Sequence, residues 1–252
     1  QEILREDSYT SKFIHMTVPD PSDFGKMCLA FASDEIARLL IRQTQLEDNV
    51  KVIRFLDSTA NYSDAGGIRG KLFELFAHER LQKGGVYEIR HLENAKNATP
   101  ATTTRVTYPA WELNEYTDNN IKKGVYNLPL SKNNETVDSL VLDEHNRDAF
   151  LFQMTVNEHH GAKVNGLKSL ESFLSNYERI SLIYVVPRDK FDKYPWQSYR
   201  TTAGKTFKKW NTTNRWIKDI NQFVLKMELS EAPKRQNDKE ITNNDNNKHV
   251  KT

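Results

Sequence analysis

Residues 137–163 read VDSLVLDEHNRDAFLFQMTVNEHHGAK, and we expect the sheet and the chemistry of the chain to meet in this stretch. Two short apolar runs flank a polar turn, and both runs are typical of strands. Because side chains alternate along a strand, Gln153 and Thr155 share one face and Phe152 and Met154 share the other. The polar pair is therefore expected to face a site, while the apolar pair packs into a core.

An acid, an amide and an amine are expected to converge around this stretch. Asp138 belongs to the first strand and Gln153 to the second, and His160 and Lys163 follow where the chain is expected to enter a helix. Carboxylate and amide oxygens suit Mg²⁺, and a nearby ammonium group stabilises the charge that develops on a phosphate. From spacing alone, a purely structural role for Asp138, Gln153 and Lys163 stays open.

The neighbouring segments predict a sheet with helices on its faces. Residues 67–83 carry an apolar face at helical spacing, and Gly84-Gly85 is a typical helix stop. Glu74 lies beside that face, where a glutamate is usually exposed or paired with a Lys or Arg. Another helix is expected after Gly166, and strands are expected at residues 86–92, 102–116, 124–130 and 179–187. The predicted order is helix, three strands, helix, strand.

Three parts of the chain are expected to differ in organisation. They are an N-terminal tether with a helical extension, an α/β domain and a disordered tail, at residues 1–60, 61–229 and 230–252. The apolar spacing of residues 22–40 predicts one or two helices that include Cys28. The stripe on these helices most simply packs inside, with a dimer or neighbouring-domain surface as the alternative. A further helix is predicted from Trp216 to Val224.

Composition restricts the class of protein. With 252 residues, of which 37% are hydrophobic, the chain can bury a substantial core in one domain. Its single cysteine excludes an internal disulfide and a cysteine-rich zinc site. No apolar run reaches the roughly 18 residues that span a bilayer, so no membrane partner is expected. The chain opens with Gln1 rather than Met, which is typical of a piece cut from a longer precursor.

Two common motifs can be rejected. Only three residues separate Gly66 from Gly70, and Leu72 follows Lys71, so the stretch is not a phosphate-binding P-loop. The chain also lacks the HExxH pattern of zinc proteases.

Positive charge is concentrated between Arg188 and Lys226. There, ten Lys or Arg residues stand against three Asp residues, although the net charge of the whole chain is only +2. Such a segment suits a polyanion, and a solvated face with long side chains is the alternative. The predicted nucleic-acid contacts are Lys190, Lys193, Arg200, Lys205, Lys208 and Lys209.

Several stretches together resemble the C-terminal nuclease-like region of Crinkler effectors. They are GKLFELFAHERLQKGG, VDSLVLD, LFQMTVNEHHGAKVNGLKSL, YVVP and INQFVLKM. This region is similar to the retrotransposon hot spot proteins, and both belong to the PD-(D/E)XK restriction-endonuclease-like superfamily. The resemblance covers residues 64–227, and its most specific part is Gln-x-Thr followed by His-x-x-Lys. Residues 13–56 resemble the helical segment that follows an ATPase domain in longer members.

The resemblance implies a restriction-endonuclease-like core and a Mg²⁺-dependent DNA endonuclease, with Mn²⁺ as an alternative metal. The implied metal-binding residues are Glu74, Asp138 and Gln153, with Asp138 as the principal ligand. Lys163 would be a catalytic lysine displaced from the strand onto the following helix. His160 would contact phosphate or transfer a proton.

Two departures from the general superfamily pattern keep other functions open. Gln153 brings no negative charge to the second acidic position, and Thr155 stands where the catalytic lysine usually lies. The alternative is a weak or inactive nuclease fold that binds nucleic acid or a host protein. A structural adaptor is a third hypothesis, in which the Cys28 helix and a Trp210–Trp216 helix form partner surfaces.

The same resemblance implies where the protein acts and with what. It predicts a secreted effector that works in host nuclei, with double-stranded DNA as the expected partner. An upstream ATPase domain in the full-length protein and a host protein are further expected partners. His159 has no counterpart in the motif and is expected at the surface.

Overall fold

The structure is a computed structural model, and it describes residues 14–17, 28–33, 35–39, 58, 66–94, 102–117, 120–130 and 136–228. Twelve strands lie in these ranges. They are β1 (Ile14–Thr17), β2 (Cys28–Phe31), β3 (Gly85–His91), β4 (Thr104–Tyr108), β5 (Leu113–Tyr116), β6 (Tyr126–Pro129), β7 (Ser139–Asp143), β8 (Asp148–Met154), β9 (Ala162–Lys163), β10 (Arg179–Pro187), β11 (Tyr199–Arg200) and β12 (Asn221–Met227).

Eight of the strands form one mixed sheet in the order β4-β3-β12-β10-β8-β7-β6-β5. The central strand β10 is parallel to both β8 and β12, whereas β7 is antiparallel to β8. Two small sheets accompany it: β1 pairs with β2, and β9 pairs with β11. The carboxyl ends of β8 and β10 therefore meet at one edge of the sheet.

The helices in the described ranges are few and mostly short. They are α1 (Gly66–Lys83), α2 (Val164–Lys168), α3 (Glu171–Leu174), α4 (Arg188–Phe191) and a 3-10 helix (Arg215–Asp219), and residues 35–39 are also helical. The single helix predicted after Gly166 is thus two short ones. In the part of the chain that the structure describes, none of the helices is both long and apolar enough to cross a membrane.

Helix α1 covers one face of the sheet. Its apolar stripe buries Phe73 and Phe76 against Phe152 and Met154 of β8, which confirms the predicted apolar face of that strand. The helix ends because Gly84 adopts a φ of 72°, a left-handed conformation that an L side chain rarely adopts. The position of Glu74 on α1 is therefore set by this packed stripe.

The opposite face of the sheet carries the larger core. There, α2 and α3 bury Leu167 and Leu174, and the 3-10 helix buries Ile217, against residues such as Leu151 and Tyr184 from the central strands. Both faces of β8 and β10 are covered, so β10 is almost wholly apolar. The prediction of a strand at residues 179–187 is confirmed.

The predicted helix from Trp216 to Val224 is wrong. The chain makes one 3-10 turn at Arg215–Asp219 and then becomes β12 in the middle of the sheet, between β3 and β10. The apolar residues of this segment fit helical spacing, but Val224 packs into one core and Leu225 into the other. Only a strand presents consecutive side chains to opposite faces, so two-sided burial decides the conformation.

The predicted helix containing Cys28 is wrong, and residues 14–17 of the predicted tether form a strand. Ile14 pairs with Phe31 in the β1–β2 hairpin, and both side chains pack against the core beneath α1. Cys28 therefore lies on a strand, because a short hairpin can bury one face against α1. Residues 35–39 are helical as expected, whereas residues 22–27 and the predicted tail at residues 230–252 lie outside the described residues.

The coarse prediction of a mixed α/β sheet flanked by helices is confirmed. The hairpin around residues 144–147 joins β7 to β8 as expected, and Arg147 takes a φ of 53° at its turn. The finer assignment of a restriction-endonuclease-like core remains a prediction.

Candidate functional site

Asp138 lies at a β-bulge that begins β7. Its N–H donates to the carbonyl O of Phe152 (2.8 Å), although Ser139 is the residue that pairs with Phe152. Two consecutive residues, Asp138 and Ser139, thus lie opposite the single residue Phe152. Such a bulge redirects side chains at the end of a strand. The Asp138 carboxylate takes over as acceptor for β8: its Oδ2 accepts hydrogen bonds from Met154 N–H (2.6 Å) and from Gln153 Nε2 (2.9 Å).

Gln153 is held with its amide oxygen unsatisfied. The side chain is 5% exposed, and its Nε2 donates to Asp138. Its Oε1 is buried and accepts no hydrogen bond from the described residues. A buried acceptor without a partner costs about 1–3 kcal/mol, so this oxygen is suited to a ligand.

Glu74 lies close enough to Asp138 for the two carboxyl groups to interact electrostatically. It is half-buried on α1, and its negative charge raises the pKa of Asp138. Lys71 lies one helical turn earlier and donates from Nζ to Glu74 Oε1 (2.8 Å). Since residues three apart share a helix face, α1 brings an acid and an amine to the site together.

The pKa of Asp138 is raised from 3.8 to about 7. Burial of the carboxyl is the main cause, and the charge of Glu74 is the second. The Met154 hydrogen bond, the Lys71 charge and the Gln153 hydrogen bond act in the opposite direction. A carboxyl group with this pKa exchanges its proton near neutral pH, which is typical of functional acids.

Four residues that sequence reasoning did not select complete the surroundings: Lys71, His78, Tyr126 and Ser139. Tyr126 Oη is 2.8 Å from His78 Nδ1 and accepts a hydrogen bond from Ser139 Oγ (2.7 Å). His78 Nε2 lies 4.0 Å from Glu74 Oε1. The spacing of Lys71, Glu74 and His78 could have indicated one helix face, but the contribution of Tyr126 depends on sheet pairing.

His160 and Lys163 lie together near the same edge of the sheet. Burial lowers the pKa of His160, and the charge of Lys163 lowers it further. Thr136 Oγ1 donates to the carbonyl O of Lys163 (2.7 Å), which places the backbone of Lys163 beside the segment that leads into Asp138. Lys163 lies on β9 and not on the following helix, so that detail of the expectation is wrong. The cation with the largest effect on Asp138 is Lys71.

Thr155 has a local structural role. Its Oγ1 accepts a hydrogen bond from the N–H of Asn157 (3.0 Å), and its own N–H donates to Val185 O (3.0 Å). The residue therefore ends β8 with a turn. His159 follows on that turn and is exposed, as predicted.

The basic segment is attached to the turn after β8. Lys190 Nζ contacts Glu158 Oε1 (3.0 Å), and Gln197 accepts a hydrogen bond from the His160 N–H (2.8 Å). Arg200 is partly buried and donates to Ser198 and to Gly204. The remaining lysines predicted to contact nucleic acid are exposed, and they are Lys193, Lys205, Lys208 and Lys209.

The site offers oxygen ligands for a hard cation. In the described ranges no group of three His, Cys, Asp or Glu residues could hold a metal ion, so a site would have to combine two carboxylates with the amide. Three oxygens accept no hydrogen bond from any described residue, and they are Asp138 Oδ1, Glu74 Oε2 and Gln153 Oε1. Mg²⁺ needs few protein ligands because it keeps several waters, so these oxygens have the chemistry that it prefers.

Comparison with known proteins gives one distant relationship. The chain is 26% identical over 191 residues to Crinkler effector protein 15 of Phytophthora infestans. The alignment covers 74% of this chain and 29% of that protein, so the chain spans less than a third of the length of its relative. No protein-family model and no solved structure matches the chain. The similarity supports a relationship between this chain and the Crinkler effectors.

Proposed function

We propose that this chain is the nuclease-like part of a Crinkler-type effector and hydrolyses DNA with Mg²⁺, or with Mn²⁺ in its place. One observation carries the proposal: the Asp138 carboxylate is held by Gln153 and Met154 near Glu74, while the Gln153 amide oxygen is buried and has no hydrogen-bond partner among the described residues. A hard cation would satisfy that oxygen and also offset the repulsion between Asp138 and Glu74.

Each residue of the site has a definable part in this reaction. Asp138, Glu74 and Gln153 would hold the ion through their unengaged oxygens. When bound, the ion polarises a phosphoryl oxygen and lowers the pKa of an attacking water. Lys71 fixes the Glu74 carboxylate. His160 and Lys163, which interact electrostatically, would contact the phosphate of the substrate.

The basic segment would bind the nucleic-acid backbone beside this site. Lys190 and Gln197 tie the segment to residues 158–160, directly after the strand that carries Gln153. Exposed lysines attract phosphates without reading bases, so we propose duplex DNA with little sequence preference as the substrate.

A cleavage assay with matched carboxylate variants tests the proposal. The purified chain with Mg²⁺ or Mn²⁺ should nick plasmid DNA, and EDTA should stop the reaction. Asp138→Ala should abolish cleavage, while Asp143→Asn should retain it, because Asp143 lies at the other end of β7 and its carboxylate accepts hydrogen bonds from Asn146 in the turn. Cleavage by Asp138→Ala equal to that of the unaltered chain would refute the assignment of the site.

A second candidate is a domain that binds DNA without cutting it. Gln153 supports this alternative, because an amide in place of a carboxylate leaves only two negative charges to hold the metal. Salt-sensitive DNA binding without cleavage in Mg²⁺ or Mn²⁺ would favour it.

We further propose that the protein is secreted and acts in host nuclei. The support is the relationship with an effector protein, together with the proposed action on DNA. An upstream ATPase domain and a host protein partner belong to the same proposal. Imaging of the tagged chain expressed in host cells tests it, and exclusion from the nucleus would contradict nuclear action.

A further inference from the structure

A series of buried hydrogen bonds runs from Ser139, beside the β-bulge at Asp138, through Tyr126 to His78, whose Nε2 lies 4.0 Å from Glu74 Oε1. We propose that His78 is a positioning residue, whose Nε2–H is fixed by Tyr126 and Ser139 and orients the Glu74 carboxylate toward Asp138. The effect on metal binding rests on the function proposed above.

Burial restricts the movement of the side chains in this series of hydrogen bonds. Ser139 is 0% exposed, Tyr126 is 1% exposed and His78 is 7% exposed. The Tyr126 ring stacks on Phe152 with centroids 6.2 Å apart, and His78 meets Tyr126 edge-on at 6.0 Å. Because these side chains are enclosed, their polar atoms depend on one another for hydrogen bonds.

The proton positions follow from the donors available. Ser139 Oγ donates to Tyr126 Oη, and we assign the hydroxyl proton of Tyr126 to the bond with His78 Nδ1 because Nε2 of the same ring lies toward the Glu74 carboxylate. A neutral imidazole that accepts at Nδ1 carries its proton at Nε2. Burial, followed by the positive charges of Lys71 and Arg38, lowers the pKa of His78 to about 3, which agrees with a neutral ring.

The Nε2–H then faces Glu74. Nε2 lies 4.0 Å from Glu74 Oε1, which is an electrostatic contact and longer than a hydrogen bond. Lys71 donates to the same oxygen at 2.8 Å. Both groups attract Oε1, so Oε2 is left for a ligand. Mutation of groups that orient metal ligands typically weakens metal affinity by about 10- to 100-fold.

The tautomer can be measured without any metal or activity. In a long-range ¹H–¹⁵N spectrum of the histidine-labelled chain, His78 should show a protonated Nε2 and an unprotonated Nδ1, assigned by loss of the signal in His78→Gln. Tyr126→Phe removes the donor to Nδ1 and should change the ¹⁵N shift of that atom. A His78 protonated at Nδ1 would overturn the inferred direction of the hydrogen bonds from Ser139 through Tyr126 to His78.

The positioning role is tested by Mn²⁺ affinity, measured by titration of Mn²⁺ alone. A glutamine amide can reach the place of Nε2, whereas an asparagine amide reaches only that of Nδ1. We therefore expect His78→Asn to weaken Mn²⁺ binding by about 10-fold and His78→Gln to restore most of it. Tyr126→Phe gives a second test if His78→Asn does not fold, and should weaken binding in the same direction.

The possible failures can be told apart. Equal Mn²⁺ affinity in the unaltered chain, His78→Asn and Tyr126→Phe would overturn the positioning role while leaving the metal site in place. If the unaltered chain bound no Mn²⁺, the proposed function and this role would both fall, and only the tautomer result would stand.

Discussion

At the scale of single residues, Asp138 is the group whose charge depends most on its surroundings. Its pKa in the folded chain is about 7, above the ordinary 3.8. Between these values the folded state keeps a proton that the unfolded state loses. Its contribution to stability is therefore fully present below about pH 3.8 and is lost as the pH rises through 7.

Asp138→Asn should remove this pH dependence. In EDTA, the unfolding free energy of the unaltered chain should fall between pH 5 and pH 8 by on the order of 2 kcal/mol more than that of the variant. This figure is smaller than the full pKa shift implies, because Asp138 is only partly buried. Thermal unfolding at each pH would measure it as roughly 5 °C in Tm. Parallel curves for the two proteins would contradict the raised pKa.

At the scale of elements, β12 connects the two parts of the large sheet. It joins β10 to β3, and its side chains enter the cores on both faces. Without β12, no hydrogen-bonded strand would connect the antiparallel pair β3–β4 to the strands that carry the site. The segment is short and has mixed polarity, so its place in the sheet depends on neighbours that are distant along the chain.

Leu225→Ala should be strongly destabilising, with Leu113→Ala as its matched control. Leu225 is 0% exposed on β12, whereas Leu113 is 45% exposed on the edge strand β5. We expect a loss of about 3 kcal/mol for the buried leucine and less than about 0.5 kcal/mol for the exposed one. Urea denaturation would measure both. A mild effect at Leu225 would mean that β12 is not a central strand.

At the scale of the whole molecule, charge is distributed unevenly although the net charge is small. The basic segment carries exposed lysines next to the site, whereas Lys123 in the connection between β5 and β6 is paired with Glu144. If DNA lies across the basic segment, the lysines of that segment should displace counterions from the DNA. Lys123 and its neighbour Lys122 should not.

Salt titration of DNA binding tests this arrangement. The double variant Lys208→Ala/Lys209→Ala should weaken binding of a short duplex and reduce the slope of log K against log salt by about 2. Lys122→Ala/Lys123→Ala removes the same charge and should leave the slope unchanged. Fluorescence anisotropy in EDTA would separate binding from cleavage. Equal slopes for the two variants would remove the basic segment from the interface.

Local sequence patterns are sufficient to predict the elements whose buried residues recur at the period of a helix or a strand. The helix α1, the hairpin of β7 and β8, and the strand β10 were all predicted from spacing and turn residues. The contact between Asp138 and Gln153 followed from them, since a tight hairpin brings its own ends together. Hydrophobic periodicity is strong where a single neighbour is enough to cover an element.

Tertiary structure alone decided the rest. The sequence of β12 fits a helix as well as a strand, and its position between β3 and β10 decides for the strand. The β1–β2 hairpin likewise depends on packing against α1. Lys71, His78 and Tyr126 acquired their roles in the same way, because His78 and Tyr126 are 48 residues apart and meet only when α1 lies on the sheet. The pattern within one segment carries no information on which distant segment will pack against it. The packing of α1 on the sheet, which brings Lys71, His78 and Tyr126 to the site, was therefore decided only by the tertiary structure.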